Sequence, residues 1–294
     1  MQEMIRRYGA TLAWSMAGLT AFWLVILVIA PYLIMFEFSF RLYLPQAELG
    51  GPRDVYTVSN YITFFTNPIH FNIFILTVVY SAIVTALCLL LSYPLAYYIA
   101  KVARPSDAPT LFLLLLIPLW VSEILRSFAW FIILTFQGPL NALLVGIGIL
   151  DKPVRWISGF DGVMVGLVYA YVLFMLLPIY TAVQSLDTNQ VEAAEDLGAS
   201  TWRIHWRVVL PHARPGIASG CVMVFMLCAG SLVVPSLLAS PGSRWFTEII
   251  QQWFFEGQDW HTGSAYAFLL LLLCTSFVLL MMRLFRVRLA DIAK

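Results

Sequence analysis

The chain has 294 residues, 61% of them hydrophobic and 11% charged, and its 17 Lys and Arg against 16 Asp and Glu leave a formal net charge of +1. Soluble domains carry about 25% charged residues, so this composition excludes a globule with a water-covered surface and makes the bilayer part of the solvent. No polar stretch is long enough to fold by itself, so one membrane domain over residues 1–294 is expected, with no nucleic-acid partner.

Arg6 and Arg7 precede an apolar run too long for a signal-peptide core, and no small-residue cleavage site follows it, which reads as a first membrane span. Apolar runs fall near residues 13–36, 73–100, 110–134, 162–185, 215–239 and 264–285. Each has roughly the 20 residues that cross about 30 Å of hydrocarbon as a helix. Strands are not expected, because open sheet edges cannot be satisfied in lipid and the runs lack barrel-like alternation. The reading is an all-α membrane protein with six transmembrane helices and both termini on one side.

Pro94, Pro118, Pro178 and Pro235 interrupt four of these spans, either freeing backbone carbonyls or merely kinking a helix. Glu123 and Arg126 are the charges well inside a span, and their i, i+3 spacing puts them on one helix face. In a straight helix starting near Pro109, Glu123 falls about 21 Å along at roughly 1.5 Å per residue. A charge at that depth needs compensation. It is met either by a mutual Glu123–Arg126 ion pair or by Glu123 facing a pathway for a cationic solute. Tyr169, Tyr171 and Tyr180 lie on the fourth span.

The loops assign the sides. Arg6, Arg7, Lys101, Arg104, Arg203, Arg207, Arg214, Arg283, Arg286, Arg288 and Lys294, 11 of the 17 basic residues, share one side with both termini. Arg41, Arg53, Arg126, Lys152, Arg155 and Arg244 are on the other. The positive-inside rule makes the first side cytoplasmic. Trp156, Trp245, Trp253 and Trp260 on the outer side suit an interfacial aromatic belt or a docking surface for an external partner. Cys88, Cys221, Cys228 and Cys274 lie in apolar runs without Cys-x-x-Cys spacing, and His70, His205, His212 and His261 are dispersed, so neither a metal site nor a catalytic set is expected.

The loop between the fourth and fifth spans carries the most specific pattern. Asp187-Thr188-Asn189-Gln190 resembles a capping box, with Asp187 accepting from the N–H three residues on and Gln190 reaching back. The helix it starts runs to Gly198, suited to a left-handed C-terminal cap. Ser200 or Thr201 then caps a second short helix that Pro211 and Pro215 end before the fifth span, giving a helix-turn-helix over residues 187–211.

Glu192-Ala193-Ala194, three residues, Gly198, nine residues, Val208, one residue, then Leu210-Pro211 resembles the cytoplasmic signature of permease subunits of binding-protein-dependent ATP-binding-cassette importers. The resemblance implies the type I importer permease fold and a coupling helix lying in a cleft of a separate ATPase. Glu192, Ala193, Ala194, Gly198, Leu210 and Pro211 would be its coupling residues. No Gly-x-x-x-x-Gly-Lys-Ser/Thr run is present, so ATP and Mg are expected on the partner ATPase, with no cofactor and no catalytic residue on this chain.

Tyr93-Pro94-Leu95-Ala96, Ile117-Pro118-Leu119-Trp120, Ala129-Trp130, Tyr169-Ala170-Tyr171 and Leu177-Pro178-Ile179-Tyr180 resemble the spermidine/putrescine group of these importers. In that group acidic residues often follow the small residues of the fifth span, whereas Gly230 to Ser236 here holds no carboxylate. The resemblance implies a polyamine as solute, or another small organic solute such as an amine, an opine or a phosphonate. Candidate path residues are Glu123, Arg126, Tyr169, Tyr171, Ser231 and Ser236. Implied partners are two ATPase copies, a second similar permease, an external solute-binding protein and the lipid of a bacterial cytoplasmic membrane. An ion-coupled secondary transporter is the rival reading; it requires midplane charges and related halves.

Overall fold

The computed structural model describes residues 6, 9–44, 48, 51, 52 and 54–287. Of the basic residues counted above, Arg7, Arg53, Arg288 and Lys294 lie outside the described residues. Regular structure among the described residues is helical, with one isolated antiparallel bridge between Arg41 and Tyr56. Six stretches among the described residues are long and apolar enough to cross a membrane: Ala10–Ser39, Pro68–Val102, Glu123–Gly146, Phe160–Gln184, Thr201–Ala229 and Trp260–Phe285. The expected six-span, all-α architecture is therefore what the chain adopts.

Three local expectations are corrected. The third run is not one helix: Ala108–Leu116 tightens into a 3-10 turn at Ile117–Trp120, Val121 and Ser122 are extended at ψ 134 and 139, and a new helix starts at Glu123. Pro118 is the physical cause, since its ring clashes with the preceding turn and it has no N–H to continue the ladder. Glu123 is thus the first residue of a helix rather than a position far along one.

The fifth run breaks after Ala229, runs through Gly230 to Leu232, and resumes as the short helix Val233–Leu238. At its other end the chain is more continuous than expected. Thr201–Ile204, a π turn at His205–Val209 and Leu210–Ala229 join without interruption, so Pro211 and Pro215 do not end the second loop helix. Pro211 falls in the first turn after the π turn, where the change of hydrogen-bond register leaves room for a residue without a donor.

The chain divides into two compact units, residues 1–68 with 250–269 and residues 69–249 with 270–294. In the first, buried Asn60 donates to the carbonyls of Ser39 (3.1 Å) and Arg41 (2.8 Å), and Arg41 pairs with Asp54 (3.0 Å) and Glu37 (2.8 Å). Asp259 caps the last span by accepting from the N–H groups of His261 and Thr262. Apolar side chains along the first span, among them Leu19, Trp23 and Leu27, are exposed, as lipid or a protein neighbour requires.

The second unit is organised around the fourth span, where Leu167, Met175, Leu176, Ile179 and Val183 are buried. The fifth span crosses it closely: a Cβ at Gly216 would fall 2.3 Å from the Pro178 carbonyl oxygen and 2.6 Å from Ala182 Cβ. Small residues at such crossings let helix backbones approach in a medium that gives no hydrophobic drive. The second span is fixed to the fourth by the Ser92 hydroxyl, which donates to the Val172 carbonyl at 3.0 Å. Trp245 is fully buried, and its indole N–H donates at 2.9 Å to the Cys228 carbonyl, which also accepts from the Ser231 N–H at 3.2 Å where the fifth span ends.

Candidate functional site

The loop at residues 186–200 is built from its caps. Asp187 is the N-cap of Thr188–Asp196, but its carboxylate accepts from the Asn189 N–H at 3.0 Å, one residue earlier than the capping-box reading. The Gln190 N–H instead bonds the Asp187 carbonyl at 3.1 Å. At the other end Gly198 adopts φ +73, its N–H bonds the Glu195 carbonyl, and the Ala199 N–H bonds the Ala194 carbonyl. Those two bonds form a Schellman cap, which needs the left-handed conformation that glycine adopts without steric cost.

The helix so delimited has two faces. Val191, Ala194 and Ala199 pack on the core, while Glu192, Ala193, Glu195 and Asp196 point outward. Leu197, Trp202 and Trp206 are exposed at 88%, 72% and 57%, and the two indoles meet edge to face at 5.8 Å. Leu210 and Pro211 belong to the continuous fifth span and are only partly exposed, so of the expected coupling residues the outward surface holds Glu192, Ala193 and Gly198, beside Glu195, Asp196 and this apolar group. Sequence reasoning passed over Leu197 and the two tryptophans as a surface. Their signal was large apolar residues in an otherwise polar loop.

Three further contacts tie the chain at and beyond the ends of the loop to the spans. The Lys101 ammonium donates to the Leu186 carbonyl, the Tyr93 hydroxyl and His205 Nδ1 lie 2.7 Å apart, and the Ser185 hydroxyl and His212 Nε2 lie 3.0 Å apart.

The second cluster forms where the third and fifth spans are broken. The short helix Val233–Leu238 packs against Glu123–Leu134 and the fourth span. The Tyr171 hydroxyl, buried on the fourth span, donates to Glu123 Oε1 at 2.9 Å. As the first residue of its helix, Glu123 also lies at the positive end of the helix dipole. The Glu123–Arg126 ion pair considered from spacing is not formed: the carboxylate is turned to Tyr171, and Arg126 Nε and Nη1 are buried without a hydrogen-bond partner. Ser231 is buried, with its hydroxyl beside that of Tyr171 and its carbonyl accepting from the Thr247 hydroxyl.

Glu123, Tyr171 and Ser231 are therefore brought together, with Arg126 one turn beyond Glu123. Tyr169 is half exposed and packs edge to face on Trp130 at 5.4 Å, and Ser236 is exposed with its hydroxyl bonded to the Val233 carbonyl. Neither joins the cluster. Thr247 is the partner that sequence missed, because it lies beyond the spans and carried no motif. Non-helical backbone within the apolar part of a membrane protein persists only where protein buries it or it lines a cavity, the arrangement transporters use at solute sites.

Residues 108–290 match the family described as binding-protein-dependent transport system inner membrane component. The chain is 34% identical over 243 residues to the spermidine/putrescine transport system permease protein PotB of Haemophilus influenzae, covering 83% of each chain. It is 32% identical to the PotB protein of Escherichia coli, covering 83% of this chain and 86% of that one. In structure it is similar to a chain of a bacterial ABC transporter involved in the import of the acidic polysaccharide alginate. The TM-score there is 0.70 at 19% identity, covering 97% of this chain and 98% of the other.

Proposed function

Because the chain belongs to the family of binding-protein-dependent transport system inner membrane components, we propose that it forms half of the path by which a polyamine enters the cytoplasm. It is an integral, multi-pass permease subunit of an ABC transporter. The solute site lies at the paired helix breaks, and the observation that carries it is the Glu123 carboxylate held by Tyr171 with no cationic partner among the described residues. A polyamine ammonium supplies the charge that Glu123 lacks, and the Tyr171 hydroxyl fixes the carboxylate in place to receive it. Glu123 is half-buried, and this partial removal from water strengthens the pairing.

The supporting relatives are named for spermidine and putrescine. The working complex is this chain with a second, similar permease, two ATPase copies that bind Mg and ATP, and an external binding protein. Residues 186–214 and both termini face the cytoplasm, where the basic loop residues lie. The Glu192–Gly198 helix enters the ATPase, and its motion tilts the spans as a rigid body. Another small organic solute is the second reading, favoured by the missing carboxylate between Gly230 and Ser236.

The test is uptake of labelled putrescine and spermidine by vesicles holding the complete transporter, binding protein outside and ATP within. ATP-dependent accumulation supports the reading. Accumulation of neither polyamine, with ATP hydrolysis still stimulated by a binding protein loaded with another solute, moves the assignment to the second reading.

A further inference from the structure

The inner end of the second span presents Tyr93, Tyr97 and Lys101, four residues apart and so on one helical stripe. All three engage the loop that carries the coupling helix. Lys101 donates to the Leu186 carbonyl, immediately before the helix at Thr188–Asp196 begins. Tyr93 shares a 2.7 Å hydrogen bond with His205 Nδ1, after that helix has ended, and the Tyr97 ring packs on the same imidazole at 4.4 Å between ring centres.

The stripe therefore holds the chain on both sides of the coupling helix from one neighbouring span, at Leu186 just before it and at His205 in the continuous helix that follows it and becomes the fifth span. Irregular helix lies beside each grip. Pro94 follows Tyr93, Tyr98–Val102 is a π turn that contains Lys101, and His205–Val209 is a π turn that begins at His205. Prolines and π turns are where helices bend, because a backbone bond is missing or shifted in register.

From this geometry we infer that Tyr93, Tyr97 and Lys101 form a clamp that carries movement of the coupling helix into the second span, with Tyr93, His205 and Lys101 as positioning residues for coupling. The inference rests on the importer reading above. When the ATPase displaces the coupling helix, the segment from Tyr93 inward moves with it as one body, and the span gives in the turn just before, where Pro94 has no N–H to close the helical ladder. Without the grips the helix moves alone, and ATP is hydrolysed without the second span following.

The test uses the complete transporter in vesicles, with ATP hydrolysis and solute uptake measured together. Tyr93→Phe combined with Lys101→Met removes both grips while keeping their bulk. It should raise the ATP hydrolysed per solute carried by about two- to tenfold, the span of equilibrium constants for one ordinary hydrogen bond. His205→Asn, which keeps an acceptor near Nδ1, should stay close to the parent ratio.

Tyr93→Cys with His205→Cys removes the grip and allows it to be replaced by a short bis-methanethiosulfonate, each cysteine thiolate forming a disulfide as methanesulfinate leaves, since the four native cysteines are all buried. Cross-linking should restore the parent ratio, because the joined elements move together. An unchanged ratio in the Phe/Met variant, or uptake abolished by the cross-link, overturns the clamp. ATP-driven uptake by the unmodified transporter in the same vesicles checks the importer reading separately.

Discussion

The Tyr171 hydroxyl donates to the Glu123 carboxylate at 2.9 Å, joining the fourth span to the first residue of the helix that follows the break in the third. The bond keeps a charged side chain within the apolar part of the chain without an ion pair. Glu123→Gln retains the acceptor and removes the charge, so solute KM should rise by about tenfold, equivalent to about 1.4 kcal/mol. Tyr171→Phe leaves the charge but frees its orientation and should have a smaller effect in the same direction. Polyamine uptake kinetics decide it, and parent-like KM in Glu123→Gln removes the carboxylate from the path.

The Schellman cap at Gly198 makes a prediction that depends on conformation and not on space. A Cβ there would meet nothing within 4 Å, yet φ is +73. Valine should cost roughly 1–2 kcal/mol of local stability, whereas asparagine, which visits the left-handed region, should be tolerated. Coupled uptake should fall in Gly198→Val and persist in Gly198→Asn; equal behaviour of the two would show that the cap conformation does not matter to coupling.

Gly216 makes the opposite prediction, since space is what it provides. Gly216→Ala places a methyl group against the Pro178 carbonyl, which is backbone and cannot swing aside. The fourth and fifth spans must separate, at a cost of about 1–3 kcal/mol. A lowered Tm of the detergent-purified protein is expected, with Gly146→Ala, where nothing lies within 4 Å, as the unaffected comparison.

Leu197, Trp202 and Trp206 leave a large apolar surface exposed next to the coupling helix. Alanine at Trp202 and Trp206 together should weaken capture of the ATPase, each anchor contributing about 2 kcal/mol if it is a centre of the contact. Co-purification of the ATPase with membranes holding the variant measures this, and undiminished capture at normal permease levels counts against their role.

Glu248 lies outside the spans, and burial pushes its carboxyl up, opposed by the Trp245 N–H and by Arg244. A value raised in the folded state stabilises fully below the unfolded carboxyl range, near about 4.3, and that stabilisation is lost as pH rises through the folded value. Glu248→Gln removes the titration while keeping an acceptor for the Trp245 N–H, which the carboxylate now holds at 2.7 Å. The Tm of the parent should therefore match that of the variant near pH 4 and fall below it as pH rises to about 7. A gap independent of pH would show that this carboxyl does not titrate over the range.

By itself the sequence determined what depends on local pattern. Apolar length gave six spans, because hydrocarbon thickness sets how many residues a helix needs. Asp187 and Gly198 marked the ends of the helix Thr188–Asp196, because caps satisfy backbone groups within a few residues. The Glu192 to Pro211 spacing marked the family. What the tertiary structure decided are pairings across the chain: Glu123 with Tyr171 instead of Arg126, and Tyr93 with His205. Spacing along a helix says which side chains share a face, but not which neighbour that face meets. The break at Val121–Ser122 turned Glu123 from a mid-helix charge into a helix terminus, and that changed its partner.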